Sequence, residues 1–234
     1  MIREFLEQTA NSIGVNLNST QLEQFLTYKD LLLEHNKNVN LTAITEEKEV
    51  ILKHFIDSLL LTLPFEQEKK SIIDIGTGAG FPGIPLKIAN IPYNITLLDS
   101  LNKRVIFLNE VIDKLGLTGI RAIHGRAEDL GHDKELREQF DIAVSRAVAE
   151  LPVLCELCLP FVKVGGVFVS YKGPKVMEEI NDAKPAISAL GAEIVEMKQV
   201  LIPETDMQRN LVFFRKINPT DLKYPRSPKK RGRF

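Results

Sequence analysis

Ile72-Ile73-Asp74-Ile75-Gly76-Thr77-Gly78-Ala79-Gly80-Phe81-Pro82-Gly83 carries more architectural information than any other stretch of the chain. A short apolar run ends in an acidic residue and passes into a glycine-dense turn. A second apolar run, Ile95-Thr96-Leu97-Leu98-Asp99, ends in another carboxylate. The order reads as a strand, a nucleotide-contacting turn, a helix and a second strand with an acid at its tip. Glycines let backbone approach a ligand because they lack Cβ and tolerate positive φ. A carboxylate at the tip of the second strand can accept hydrogen bonds from both hydroxyls of a ribose.

Register separates two readings of the turn. Gly78-Ala79-Gly80-Phe81-Pro82-Gly83 satisfies the dinucleotide pattern G-x-G-x-x-G, but that pattern begins directly after its strand. Here the strand ends at Asp74-Ile75 and Gly76 comes first. Counted from Gly76, the third pattern glycine is replaced by Phe81. The spelling is D-x-G-x-G-x-G, which resembles the S-adenosylmethionine (SAM) turn of Rossmann-like methyltransferases. The electrostatics agree. A pyrophosphate favours a helix N-terminus free of negative charge. SAM has no phosphate and carries an ammonium and a sulfonium, so Asp74 is favourable beside it.

The length of 234 residues suits one domain with extensions, and a hydrophobic content of 44% is enough for a sizeable core. No apolar run approaches the roughly twenty residues of a membrane span. The acidic, amphipathic start Met1-Ile2-Arg3-Glu4-Phe5-Leu6-Glu7 does not read as a signal peptide. A cytoplasmic protein with no membrane partner is expected, and the sequons at Asn18, Asn40 and Asn94 then carry no meaning. Cys155 and Cys158 are spaced C-x-x-C, but no second pair exists to complete a zinc site. They read as two small apolar residues on one helix face, and no metal site is expected. The net charge of −1 is unevenly spread: the last twelve residues, from Lys223, hold six basic residues and no acids. A basic tail on an acidic body points to a polyanionic partner.

Residues 1–65 read as helices, with Ser19 as N-cap ahead of Leu22, Phe25, Leu26, Leu31 and Leu32 at helical spacing. Asn36-Lys37-Asn38-Val39-Asn40-Leu41-Thr42 reads as a loop. A helix resumes after Thr45 and is stopped by Pro64. From Ser71 the pattern alternates, with strands expected at about 71–75, 94–99, 120–124, 140–145 and 165–171. The helices between them are expected at about 82–90, 101–115, 133–138 and 149–160. A helix at about 174–190 is followed by two strands, 192–202 and 210–217, joined by a short loop. The fold class is therefore α/β: a Rossmann-like, seven-stranded, mostly parallel sheet ending in an antiparallel hairpin. Three regions are expected, namely an N-terminal helical extension (1–65) packed on the core, a SAM-dependent methyltransferase core (66–217) and a basic C-terminal tail (218–234).

Ligands of open parallel sheets sit beyond the carboxyl ends of the strands. The polar and turn residues there are Asp74, Gly76, Gly78, Gly80 and Phe81 after the first strand, and Asp99 after the second. The third leads into Gly125-Arg126-Ala127-Glu128-Asp129, the fourth ends at Ser145-Arg146-Ala147 and the fifth at Tyr171-Lys172-Gly173. The hairpin loop carries Arg209. Asp99 has a plainer reading as a cap on the helix from Leu101, and Glu128 one as an N-terminal helix charge. Ala127 and Glu128 are placed to meet an adenine edge with their backbone. Absences narrow the chemistry. The fourth strand lacks the N/D-P-P-F/Y sequence that serves exocyclic amines. Both cysteines lie inside a helix, not at a strand tip where pyrimidine C5 chemistry needs a nucleophile. His124 ends the third strand but is expected to face the sheet. A site without a general base suits an acceptor that attacks through a lone pair and loses no proton, such as guanine N7. Such transfer needs chiefly alignment, with Arg126, Arg146 and Lys172 as orienting groups.

Several further segments join the glycine turn: Asn38-Val39-Asn40-Leu41-Thr42, His54-Phe55-Ile56-Asp57-Ser58-Leu59, Leu97-Leu98-Asp99-Ser100, Lys103-Arg104, Ser145-Arg146-Ala147 and Lys172-Gly173. Together they resemble the bacterial small-subunit rRNA (guanine-N7) methyltransferases, also called glucose-inhibited division protein B. The resemblance runs from about residue 20 to 216. It implies methylation of N7 of one guanosine, at position 527 in the 530 loop of 16S rRNA. The implied cofactor is SAM, leaving as S-adenosylhomocysteine, and the implied partner is 16S rRNA in a small-subunit ribosomal particle, with no obligate protein partner. By matching position it implies SAM contacts at Gly76, Phe81, Ala127, Glu128 and Arg146. RNA-side roles are implied for Arg126, Lys172 and Arg209, with Asn38 and Asn40 as further candidates. The sequence from Ser227 to Arg231 departs from the family pattern. A SAM enzyme for another RNA or a small molecule, an NAD-dependent oxidoreductase and a non-catalytic binding module are the competing classes. No His/Lys or Tyr/Lys pair supports the oxidoreductase, and intact Asp74 and Asp99 count against a decayed pocket.

Overall fold

The computed structural model describes residues 1–61, 70–89, 92–146 and 149–230. The chain opens with α1 (Ile2–Ser12) and α2 (Ser19–Val39). Then α3 (Glu47–Val50), a π-helical stretch Ile51–Ile56 and α4 (Asp57–Leu59) follow one another without a break. Asn18, not Ser19, caps α2. Its side chain accepts from the Gln21 N–H while the Gln21 side chain accepts from the Asn18 N–H, closing a capping box. The expected loop at Asn36–Thr42 begins later than the asparagines imply, because α2 runs through Asn36 and Asn38. It ends where Asn40 adopts φ 51°, a conformation asparagine tolerates. The expected stop at Pro64 lies outside the described residues.

The core consists of β1 (Ser71–Ile75), α5 (Gly83–Ile88), β2 (Asn94–Asp99), α6 (Asn102–Lys114), β3 (Ile120–His124), α7 (Ala127–Leu130) and β4 (Phe140–Arg146). These are followed by α8 (Leu151–Cys158), a 3-10 turn Leu159–Phe161, β5 (Val162–Lys172), α9 (Val176–Ala189), β6 (Ala192–Leu201) and β7 (Gln208–Lys216). The seven strands lie in the order β3-β2-β1-β4-β5-β7-β6. The first five are parallel, and β7 runs antiparallel to both β5 and β6. This is the expected α/β sheet with its antiparallel end. The order reverses between β1 and β4, which places the ligand crevice over their carboxyl ends. The helix expected at 133–138 is instead a run of turns, and the helix of that connection is the short α7. Asp133 starts a turn as an N-cap would, its side chain accepting the Glu135 N–H and its carbonyl that of Arg137, but Glu138 sits at φ 53° and gives its N–H to the Pro160 carbonyl, so the turn does not propagate into a helix.

Side chains of a strand alternate between faces, and here each face meets a different core. Ile72, Leu97, Ile142, Val144, Val169 and Leu211 are buried with α1, α2, the π-helical stretch, α5 and α6. Ile73, Ile75, Leu98, Ala143, Phe168 and Val212 are buried on the opposite face with α8 and α9. The N-terminal helices are thus one layer of the sandwich, with Phe25, Tyr28 and Phe55 buried at its centre. Residues 218–226 leave β7 over the second face, where Tyr224 joins that core and Pro225 is buried. The tail is therefore packed as far as Arg226. Ser227–Lys230 are exposed, and the remaining basic residues Arg231 and Arg233 lie outside the described residues.

Candidate active site

The turn after β1 is built on Asp74. This residue is fully buried, and its Oδ2 accepts from the Thr77 hydroxyl at 2.7 Å and from the Gly83 N–H at 2.9 Å. Its Oδ1 is buried and has no hydrogen-bond partner. Burial raises the Asp74 carboxyl to a pKa of about 6, against the lowering by the Thr77 and Gly83 hydrogen bonds and the Arg146 charge. The glycines divide into two kinds. Gly78, at φ 63°, has open space where a Cβ would stand. Gly80, at φ 105°, would put a Cβ 2.7 Å from the Tyr28 hydroxyl, so its bare backbone serves packing against α2 and not ligand approach. Tyr28 seals that contact by donating its hydroxyl hydrogen to the Ala79 carbonyl.

Beside Gly76, a cleft of about 220 Å³ is lined by Ile75, Leu98, Asp99, Ser100, Gly125, Arg126, Ala127, Glu128 and Leu157. Asp99 is 3% exposed. Its Oδ2 accepts from the Gly78 N–H and its Oδ1 from the Leu101 N–H, both at 2.9 Å, so the capping role and the place in the cleft coexist. His124 is exposed and lies 3.1 Å from the Ser100 carbonyl, not facing the sheet as its position in β3 implies.

A third group of residues comes from the N-terminal layer. The wider turn of the π-helical stretch presents His54, and Asp57 follows it at 1% exposure. Asp57 bridges two arginines: Oδ1 accepts from Arg209 Nε at 2.6 Å, while Oδ2 accepts from Arg209 Nη2 at 2.9 Å and from Arg146 Nη1 at 2.8 Å. The His54 ring stacks on Phe81, with centroids 4.5 Å apart and planes 10° apart, and the Arg146 guanidinium lies 5.0 Å from the Phe81 centroid. Burial and the Arg146 charge lower the His54 pKa to about 3, so the ring is neutral at neutral pH. Arg146 Nη2 stands 3.2 Å from Nδ1 and can only donate, which assigns the ring proton to Nε2, where it is donated to Thr42 Oγ1 at 2.7 Å. Both nitrogens of this imidazole are engaged.

A crevice at the β1/β4 switch point with acids at two strand tips now has known proteins to stand against. The model of the GidB family, rRNA small subunit methyltransferase G, matches residues 21–212. The chain belongs to this family. It is 51% identical over 224 residues to the ribosomal RNA small subunit methyltransferase G of Alkaliphilus metalliredigens, covering 95% of this chain and 94% of that protein. It is 53% identical to the protein of the same name from Clostridium botulinum strain Eklund 17B, covering 94% and 92%. Among solved structures, M. jannaschii TYW2 in complex with AdoMet aligns at a TM-score of 0.51 and 20% identity over 64% of this chain and 70% of that one. A chain from the complex of a Haloferax volcanii methyltransferase activator with a putative methyltransferase aligns at 0.58 and 16% identity, over 81% and 98%. At these identities the two structures speak for the fold alone.

The candidate strand-tip residues are distributed unevenly. Gly76, Asp99, Ala127 and Glu128 line the cleft, Asp74, Gly78, Gly80 and Phe81 belong to the turn after β1, and Arg146, at the end of β4, lies over the Phe81 ring. Arg126 is exposed at its rim, and Arg209 is half-buried on Asp57. Lys172, a candidate for an orienting and RNA-side role, ends β5. It is 8% exposed, and its ammonium is held by the Ala149 carbonyl at 2.7 Å and by Glu179 of α9 at 2.5 Å. Asn38 and Asn40 are exposed at the end of α2. Ala147 lies outside the described residues. Cys155 and Cys158 are buried and unpaired in α8, where burial pushes both thiols up, as small apolar residues would sit. His54 and Asp57 are site residues that the strand-tip reasoning does not reach. Their signal in the sequence is the segment His54-Phe55-Ile56-Asp57-Ser58-Leu59, one of those that carry the resemblance, in which the two stand three positions apart on a helix.

Proposed function

We propose that this chain transfers a methyl group from SAM to N7 of guanosine 527 in the 530 loop of 16S rRNA, within a small-subunit ribosomal particle in the cytoplasm. The observation that carries the reading is the state of the Arg146 cluster. It offers permanently charged guanidiniums and one neutral imidazole whose nitrogens are both hydrogen bonded. Such a cluster orients an acceptor and does not deprotonate it. Guanine N7 presents a lone pair and has no proton to lose, so alignment suffices.

The residues fit the cofactor. SAM supplies an electrophilic methyl group on a sulfonium. Asp74 holds a buried oxygen without a partner, and an ammonium is the group that would relieve it. Asp99, at the wall of the cleft, would accept from the ribose hydroxyls, and the backbone of Ala127 and Glu128 would meet the adenine edge. Phe81, held between His54 and Arg146, would give the cofactor an apolar wall. Arg126 and Arg209, with Asn38 and Asn40, face the RNA. Lys172 supports the segment after β4 through the Ala149 carbonyl instead of reaching RNA itself. No helix among the described residues is long and apolar enough to cross a membrane.

The test is to map N7-methylguanosine in 16S rRNA from cells with the gene, without it, and with it restored. Loss and return of one modified guanosine is expected. An unchanged map with a folded, SAM-binding protein would overturn the substrate.

A further inference from the structure

Two of the residues that line the cleft at its outer end, Ala127 and Glu128, belong to α7, a helix of four residues with no buried side chain. Its neighbour β3 is an edge strand with no fully buried residue. A single helical turn does not hold itself in place, since one hydrogen bond must offset the ordering of several residues. Ala127 and Leu130 pack, half-buried, against the α8–α9 core, and the contacts on the wall's far side supply a second support.

We infer that residues Thr220–Arg226 form a strap that positions the adenine-side wall, so that the C-terminal segment sets affinity for the cofactor. Gly131 directly follows α7, and a Cβ there would stand 2.7 Å from the Pro225 ring and 2.9 Å from the Ala127 carbonyl oxygen. The strap therefore lies flat on the end of α7. His132 Nε2 donates to the Pro225 carbonyl at 2.9 Å. Arg137 ties both partners together with one guanidinium: Nη1 donates to the carbonyls of Gly131 and Tyr224, each at 2.8 Å, and Nη2 to that of Thr220 at 2.6 Å. The strap's other end is clamped to α8. Glu156 is fully buried, and it accepts from the Arg226 N–H at 2.6 Å, from Nε at 3.0 Å and from Nη2 at 2.9 Å. The next residue of α8, Leu157, lines the same cleft as Ala127 and Glu128. The strap thus grips both sides of the cleft's outer end without entering it. Preorganised walls bind more tightly because less ordering is left to binding.

The inference rests on the assignment of this cleft to SAM. The experiment compares full-length protein with chains ending at Arg226 and at Lys223, and with Arg226→Lys. Calorimetry with SAM and with 5′-methylthioadenosine is combined with initial rates on small-subunit particles. The chain ending at Arg226 keeps the strap and should bind both ligands as the full chain does. The chain ending at Lys223 should bind both about tenfold more weakly, in equal measure because the defect is at the adenine end they share. Its KM for SAM should rise while kcat at saturating SAM stays within about twofold, the signature of a lost binding contribution. Arg226→Lys should fall between, because an ammonium cannot reproduce the two-pronged grip on Glu156. If the shorter chain does not fold, Arg226→Lys and His132→Gln decide by the same readouts. SAM affinity unchanged in the folded variants overturns the strap. A loss for SAM that spares 5′-methylthioadenosine, or a fall in kcat alone, also overturns it. Failure of the full-length protein to bind SAM would instead refute the cofactor assignment.

Discussion

The two ends of the crevice are held by opposite means. At the Arg146 end the supports are side chains: a carboxylate at 1% exposure between two guanidiniums, and an imidazole stacked on Phe81. They come from the N-terminal layer on one face of the sheet. At the Ala127–Glu128 end the supports are mostly carbonyls gathered by Arg137 and His132, and they come from the C-terminal strap on the other face. The difference teaches where specificity and where affinity reside. A buried ionic cluster tolerates little displacement, because removing one partner strands the others. A backbone strap can give by small amounts, so it tunes binding and leaves chemistry intact.

Asp57→Ala should break the first region outright. It leaves Arg146 and Arg209 facing each other with no counter-charge, and a cost of about 3–5 kcal/mol in unfolding free energy is expected. Denaturant titration measures it, and single-turnover methyl transfer should fall with it in whatever protein remains folded. A loss no greater than that of an exposed pair would show that the cluster is held by packing alone.

Asp99→Ala probes the boundary between the two regions. Its carboxylate anchors Gly78 and Leu101 and faces the cleft, so SAM affinity should weaken by about 1–3 kcal/mol. Calorimetry with SAM and NAD side by side checks both the magnitude and the choice of cofactor.

Acid distinguishes two groups in the first region by sign. The His54 pKa is depressed to about 3 from an ordinary 6.5, so the unfolded chain binds the proton first, and stability falls as pH drops from about 6.5 towards 3. The Asp74 pKa is raised to about 6 from 3.8, so its contribution is present below 3.8 and is lost as pH rises through 6. Between those values the two slopes oppose. Asp74→Asn should therefore steepen the rise of stability with pH across that window, as read from unfolding curves at several pH values. An unchanged slope would mean that Asp74 is ionised throughout.

The smallest effect should come from removing residues 227–234. The six basic residues from Lys223 do not act as one cluster, because Arg226 is spent on Glu156 and Lys223 pairs with Asp221 at 3.3 Å. The cations beyond them can still meet phosphates. The slope of log K for particle binding against log salt should flatten by roughly 0.7–0.9 for each phosphate that the shortened chain no longer neutralises, with SAM affinity unchanged. Equal slopes would reduce the end of the chain to a solvated terminus.

The layered α/β architecture, the seven strands and the crevice at their tips were legible because they rest on local signals. Those signals are apolar runs of strand length, a glycine turn in a particular register, and acids at Asp74 and Asp99. The segment 133–138 departs from its helical periodicity for a reason that is not local: Glu138 bonds to Pro160, which lies across the sheet connection, and Arg137 is drawn to the strap. His54 and Asp57 are present in the sequence as two polar residues on a helix. Only the packing of that helix on the sheet brings them to Arg146 and Arg209, which stand about 90 and 150 positions away. The same holds for Arg226, which composition alone counts as one more surface cation. A charge's role depends on what it is buried against, and a buried carboxylate such as Glu156 acquires its partner when the chain's end folds back over α8. Periodicity and turn chemistry act over a few residues and so determine the elements; desolvated pairs form between distant residues and so belong to the tertiary structure.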